Sequence, residues 1–259
     1  MTKLVISQQN IRHERRRWLK SLIKQGILTG TKAEAKKKVL KIAKQLDVLK
    51  DFSNEKKAGK AMQCVLKVLV KNLPWPALYF YGAAVDNKHR VFSNFYQVDI
   101  QIEKTDMLAI ATAINPSLFE FDTMDTAWYF RSSEQLFMFL KAICMSDAST
   151  AGKIYQSKTP SAAKKLGRQV APFNVALWDE KSSECMQHAV LCKFRHCKKA
   201  QEVLLATGNR VLVEASATDC KWGIGLSKSK ALNGALWRGQ NLLGEALYIT
   251  RAKLRSSSE

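Results

Sequence analysis

The 259 residues carry 42 Lys and Arg against 22 Asp and Glu, a formal net charge of +20, and 46% of them are hydrophobic. That apolar content is enough for a packed core and excludes a disordered chain. No window reaches the ~18 consecutive apolar residues of a membrane span, and the opening "MTKLVISQQNIRHERRRW" lacks the apolar stretch of a secretory signal, so an intracellular protein with no membrane partner is expected.

The charge is uneven. Residues 1–73 hold 19 basic against 5 acidic side chains, a balance of +14, and the remainder holds 23 against 17. Such a field favours a polyanion, DNA or RNA, through counterion release, and a lysine-rich face turned to water is the competing reading. Within this segment "HERRRWLKSLIKQGIL", "TKAEAKKKVLKIAKQLDVLKDF" and "EKKAGKAMQCVLKVLVKNL" repeat Leu, Ile, Val or Trp at helical spacing. Three short basic helices are expected, broken around Gly26 and Gly30 and again at "DFSNE". Thr31 and Glu34 have the spacing of a capping box. Only Trp18 and Phe52 are aromatic here, so the segment shows no platform for stacking bases. The first prolines, Pro74 and Pro76, mark a boundary, which divides the chain into a basic helical module over 1–73 and a second domain over 74–259.

Downstream, "ALYFYG" and "QVDIQIE" read as strands, and "LAIATAINPSLFEFDTMDTAWYF" as strand and loop. A helix opens near Ser132 or Ser133, two short helices break at Pro160, and a long helix runs from about Trp178 to His196. "NRVLVEASATDCKWGIGL" is a strand leading into a loop, and "NLLGEALYITRAKL" is a last helix. The six cysteines contain no CxxC pair, and in a chain of this size without a signal they are expected to be reduced thiols. Cys185, His188, Cys192 and His196 share one helical face, but a straight helix cannot wrap four ligands around one ion. No metal and no cofactor are expected.

The stretch "FRSSEQLFMFLKA" poses the chemical question, because Glu134, Phe137, Met138 and Lys141 fall at i, i+3, i+4 and i+7 on one helical face. A lysine amid Phe and Met is desolvated, which favours the neutral amine and suits it to nucleophilic attack; Glu134 can shuttle the accompanying proton. Alternatively, Glu134 favours the positive end of the helix and Lys141 snorkels at the edge of the core.

Other segments leave the same kind of choice. Ser93, Asn94 and Phe95 in "FSNF" read as the rim of a pocket. In "DCKWGIG", Gly223 and Gly225 let backbone amides face a phosphate, Trp222 offers a flat face to a base or ribose, and Asp219 can accept sugar hydroxyls; a plain turn with a core tryptophan has the same composition. Asn241 in "WRGQNLLGEAL" either caps a helix or holds substrate, and Glu214 is either a partner for a cation or a strand-end charge.

Taken in order, "FSNF", "SSEQLFMFLKA", "AKKLGRQV", "W…KF" between Trp178 and Phe194, "LLATG…LVEAS…D…WGIGL" and "WRGQNLLGEAL" resemble the NADAR superfamily, also called YbiA-like, over residues 79–251. The resemblance implies a mainly α-helical domain with a small β component, here preceded by the basic helical module. It also implies an N-glycosidase cutting a ribose–nitrogen bond: removal of ADP-ribose from guanine bases in nucleic acid or nucleotides, or cleavage of phosphorylated riboflavin-pathway intermediates. The family's catalytic lysine and glutamate match Lys141 and Glu134. The +14 segment favours the guanine substrate, with DNA or RNA held by the N-terminal module. A non-catalytic reader of ADP-ribose or nucleic acid is the rival of a different class, and retention of both charged residues argues against it. The connection between "FSNF" and Glu134 is longer than in compact members, which bears on the wall of the pocket.

Overall fold

The computed structural model describes residues 8–49, 51, 57–73, 77–84, 89–116 and 126–257, with side chains from residue 16 onward. The breaks expected at "DFSNE" and at Pro74 and Pro76 lie outside the described residues, as do positions 117–125. In chain order the elements are α1 (Gln8–Lys24), α2 (Lys32–Gln45), α3 (Ala58–Lys71), β1 (Leu78–Phe80), β2 (Gln97–Glu103), α4 (Lys104–Ile114), β3 (Ala127–Ser132), α5 (Ser133–Cys144), α6 (Ala148–Tyr155), α7 (Pro160–Gly167), α8 (Val175–His196), α9 (Lys198–Leu205), β4 (Leu212–Glu214), α10 (Lys228–Leu232) and α11 (Leu242–Ser256). The fold is mainly α with a small β component, as expected. It divides into two compact units, residues 1–79 with 209–248, and residues 80–208 with 249–259.

In the first unit the three expected helices form. Gly26 and Gly30 turn the chain between α1 and α2 at positive φ, where a side chain is disfavoured. The capping box closes at the start of α2: the Thr31 N–H donates to Glu34 Oε2 at 2.7 Å and the Glu34 N–H to Thr31 Oγ1 at 3.3 Å. Leu19 and Leu22 of α1, Val39 and Ile42 of α2 and Val65 and Leu69 of α3 enter a core that also contains Val211, Val213, Ile224, Leu226 and Trp237. β1 pairs with β4, the Leu78 N–H donating to the Val211 carbonyl at 2.8 Å. The expected division at residues 73 and 74 is thus a division of charge, and the core runs across it. The apolar stripes of three short helices cannot cover one another fully, and β4 with the loop after it completes them.

In the second unit β2 and β3 pair antiparallel, with Ile100 opposite Phe130 and Ile102 opposite Trp128. The alternation read in "QVDIQIE" is the burial pattern observed, Ile100 and Ile102 inward and Asp99, Gln101 and Glu103 in water. β3 runs directly into α5, which packs against α4, α6, α7 and α8. All of α5 is buried except Lys141, so a helix expected to have one apolar face is enclosed on every side. Rings of Trp128, Phe130, Phe139 and Tyr155 meet at centroid separations of 4.9 to 6.4 Å around its middle. Residues 108–114, expected as strand and loop, belong to the helix α4 instead. Its Met107, Ala111 and Ile114 are buried at i, i+4 and i+7, a helical spacing masked by interleaved Ile, Ala and Thr. Pro160 opens α7 with Thr159 as its N-cap, and α8 begins at Val175, capped by Asn174.

Candidate active site

The N-terminus of α5 is assembled from three segments. Ser132 is the cap: its Oγ accepts the Gln135 N–H at 3.1 Å. Ser133 turns its hydroxyl the other way and donates to Asn94 Oδ1 at 3.0 Å. The Glu134 N–H, which has no partner within its own helix, donates to the Asn94 carbonyl at 3.0 Å. The "FSNF" loop is therefore fastened across the first turn of α5. Glu134 is only 5% exposed there, where the helix end favours a carboxylate. Ser93 and Asn94 are themselves buried, the Ser93 Oγ accepting the Phe95 N–H at 3.2 Å. Phe95 is half-buried and carries the Lys164 ammonium 5.3 Å from its ring centroid.

Two turns along the same face, Lys141 is half-buried. Its Nζ donates to the Gly167 carbonyl at 2.7 Å and lies 4.5 Å from the Phe173 ring centroid and 5.6 Å from that of Trp178. Phe137 packs on Trp178 at 5.4 Å, and Met138 fills the space beside Gly167, where a Cβ would run into its sulfur. Phe137 and Met138, expected to surround the amine, are buried, and the rings that stand against Lys141 Nζ are those of Phe173 and Trp178. A seven-residue separation puts Glu134 about 10 Å from Lys141 along the helix axis.

One buried amine escaped the sequence reading. Lys193 of α8 has no solvent exposure and donates to the Ser93 carbonyl at 3.0 Å. Burial pushes its pKa down to about 7. The signal was legible: Met186, Ala189, Val190, Lys193 and Phe194 fall on one helical stripe, the pattern that singled out Lys141.

The remaining candidates lie in the first unit, where Asp219 and Asn241 hydrogen-bond to the scaffold. Asp219 Oδ1 accepts the N–H groups of Lys221 and Trp222 at 2.9 and 2.7 Å and so shapes its own loop. Gly225 has a φ of +66°, and at Gly223 a Cβ would stand 3.0 Å from the Glu214 carbonyl oxygen. Each glycine has a structural requirement, left-handed backbone at one and close approach at the other. Trp222 is half-buried. Asn241, fully buried at a φ of 56°, accepts the Glu214 N–H at 2.9 Å through Oδ1. Its Nδ2 donates to Gln25 Oε1 and to the Leu212 carbonyl, each at 2.9 Å. That amide locks the scaffold together: both of its N–H groups donate within the protein and its side chain is fully enclosed.

Among the described residues no three His, Cys, Asp or Glu side chains gather as metal ligands. On the α8 face, burial raises the thiol of Cys185 far above its ordinary value and that of Cys192 to about 11, and burial lowers His188. No helix among the described residues is long and apolar enough to cross a membrane.

The second unit is mainly helical with a small sheet, built around a buried central helix. Residues 79–255 match the NADAR domain, and the chain belongs to that family. Protein irg-1 of Caenorhabditis elegans is 34% identical over 70% of this chain and 80% of its own length. A protein named as an N-glycosidase in Nostoc punctiforme is 30% identical over 69% of this chain and 93% of its own. The NMR structure of the E. coli protein YbiA shares the fold, with a TM-score of 0.50 at 21% identity over 70% of this chain and 86% of that one.

Proposed function

We propose that this chain is an N-glycosidase that removes ADP-ribose from guanine bases, and that its basic helices hold the nucleic acid carrying the modification. The observation that supports the chemistry most is Lys141, half-exposed beside two aromatic rings, on the same helical face as the buried Glu134. The relative named as an N-glycosidase agrees with that reaction class.

In this reading the neutral Lys141 amine attacks the ribose anomeric carbon, forming a carbon–nitrogen bond as the bond to the base nitrogen breaks. The Glu134 carboxylate takes the proton that the attacking amine loses and returns it to the departing nitrogen or to the ring oxygen as the sugar opens to an imine. Water then adds to the imine carbon, and loss of the amine frees the ribosyl product. The Gly167 carbonyl holds the amine until substrate arrives, and Phe173 and Trp178 give a flat sugar or base an apolar surface. The DNA or RNA partner is supported by α2, whose Lys32, Lys36, Lys37, Lys38, Lys41 and Lys44 all face water.

Incubation with guanine-ADP-ribosylated DNA and, separately, with phosphorylated riboflavin precursors, followed by mass spectrometry, tests the assignment. Release of ADP-ribose is the expected result. Turnover of the riboflavin precursors alone would replace the substrate, and turnover of neither would leave a binding module.

A further inference from the structure

We infer that Lys193 is a positioning residue, whose amine fixes the Ser93–Asn94 loop and, through that loop, the first turn of α5 and the carboxyl of Glu134. The inference rests on the catalytic reading of Glu134 given above.

The path is short and continuous within one compact unit. Lys193 Nζ donates to the Ser93 carbonyl at 3.0 Å. The next residue offers its carbonyl to the Glu134 N–H and its Oδ1 to the Ser133 hydroxyl, both at 3.0 Å. Residues 90–96 are a 3-10 turn and a loop, which lack the ladder of a strand or helix to hold them in place. The first turn of α5 hangs on that loop through two hydrogen bonds, so a shift of the Asn94 backbone moves the base of Glu134.

A lysine is an expensive way to fill this space. It has no exposed surface, and the Phe194 ring lies 4.9 Å from its Nζ. Burying an amine carries a desolvation penalty, and a methionine of similar shape would pack there without it. A core selected for stability alone would carry the methionine. What the amine adds is a directed donor at the end of a long side chain, aimed at a loop carbonyl. Its complete enclosure also bars Lys193 from contact with substrate, so any contribution to the reaction passes through the groups it holds.

The test compares Lys193→Met with wild type in the full chain, using a small ADP-ribosylated guanosine as substrate. The expected result is a fall in kcat on the order of 100-fold, the size of effect that a small misplacement of a catalytic group produces, with KM nearly unchanged and the melting temperature close to wild type, because relief of the buried amine offsets the partner lost by the Ser93 carbonyl. Hydrogen exchange supplies a readout that loss of packing would not move: the Glu134 amide should lose protection while amides in the middle of α8 keep theirs. Lys193→Gln, which keeps a donor of shorter reach, should recover part of kcat, and it serves as the test variant if the methionine does not fold. Unchanged kcat, or protection lost evenly across the core, would overturn the inference. A wild-type chain with no turnover would instead remove the underlying catalytic reading, which the same assay reports separately.

Discussion

Helices α2 and α5 each carry one glutamate, near the start, and lysine further along, and they dispose of those charges in opposite ways. α2 turns Glu34 and six lysines to water, and only Ala35, Val39, Ile42 and Ala43 are buried. α5 buries eleven of its twelve residues, Glu134 among them, and leaves Lys141 half-buried at its edge. On α2 Glu34 closes the capping box, while each lysine is screened and individually replaceable, because solvent solvates it in the folded and unfolded chain alike. On α5 each charge has a fixed set of neighbours and a cost of burial, so its position carries information. If that contrast is right, identical substitutions on the two helices should have very different consequences.

The largest effect belongs to Lys141→Ala, which should abolish turnover while the melting temperature stays close to wild type, since the side chain is partly exposed and its loss opens only the edge of the core. Borohydride should trap a sugar adduct on wild type and not on this variant. A variant that turns over at near wild-type rate would take Lys141 out of the chemistry and leave it a snorkelling lysine. Glu134→Gln keeps the shape and removes the proton carrier, so a loss on the order of 100- to 10,000-fold in kcat is expected. A loss below about tenfold would make Glu134 a helix-end charge like Glu34.

A large effect on stability is expected far from that chemistry. Asn241→Ala would strip partners from the Glu214 N–H, the Leu212 carbonyl and the Gln25 side chain, three groups bonded to its amide. Each buried group left unpaired costs about 1–3 kcal/mol, so chemical denaturation should show a stability loss of several kcal/mol with kcat of the surviving folded protein retained. A stable variant with a raised KM would make Asn241 a substrate-binding residue instead.

Lys193 sharpens the comparison through pH. Its folded-state pKa of about 7 lies below the ordinary 10.5, so between those values the unfolded chain binds more protons and stability rises with pH. Below about 7 both states hold the proton and the slope from this residue disappears. Raised thiols such as Cys185 and Cys192 act in the opposite sense only above their ordinary value of 9.0, which leaves pH 7 to 9 as the clean window. Wild type should gain on the order of 1 kcal/mol per pH unit there relative to Lys193→Met. Parallel curves for the two proteins would mean that the amine is solvated after all.

Much of the fold was legible because its signals are local. The three N-terminal helices, the capping box at Thr31, the break at Pro160 and the alternation in β2 are each decided by residues a few positions apart. The sharing of the first core was not, because Val65 and Val213 join one core only after the chain has folded, and no local pattern records it. Burial of α5 on all sides was hidden for a related reason: Ser133 and Gln135 satisfy their hydrogen bonds with distant partners, Asn94 and residues 154, 155 and 157, which their neighbours in sequence do not reveal. At the candidate site the residue types were readable while their duties were not. Ser93 and Asn94, expected on a rim, fasten one helix, and Asn241 fastens a strand and loop.

The smallest effect tests the other half of the comparison. Reversing Lys36, Lys37 and Lys41 to Glu should change stability by no more than about 0.5 kcal/mol per site, because all three are exposed. If α2 faces a nucleic acid, the reversal should lower affinity for DNA or RNA and reduce the slope of log affinity against log salt by up to about one for each phosphate no longer neutralised. Deleting residues 1–73 is a poorer experiment, since it would also strip Leu22, Val39, Val65 and their neighbours from Val211, Val213 and Trp237 and expose an apolar core. Charge reversal separates the two roles, because it leaves the buried stripe of α2 untouched. Turnover of a small ADP-ribosylated guanosine should be unaffected in either case. Weaker binding with a shallower salt slope would establish the basic face as the nucleic-acid contact; an unchanged slope would make those lysines a solvated surface, whose work is done by the apolar residues beneath them.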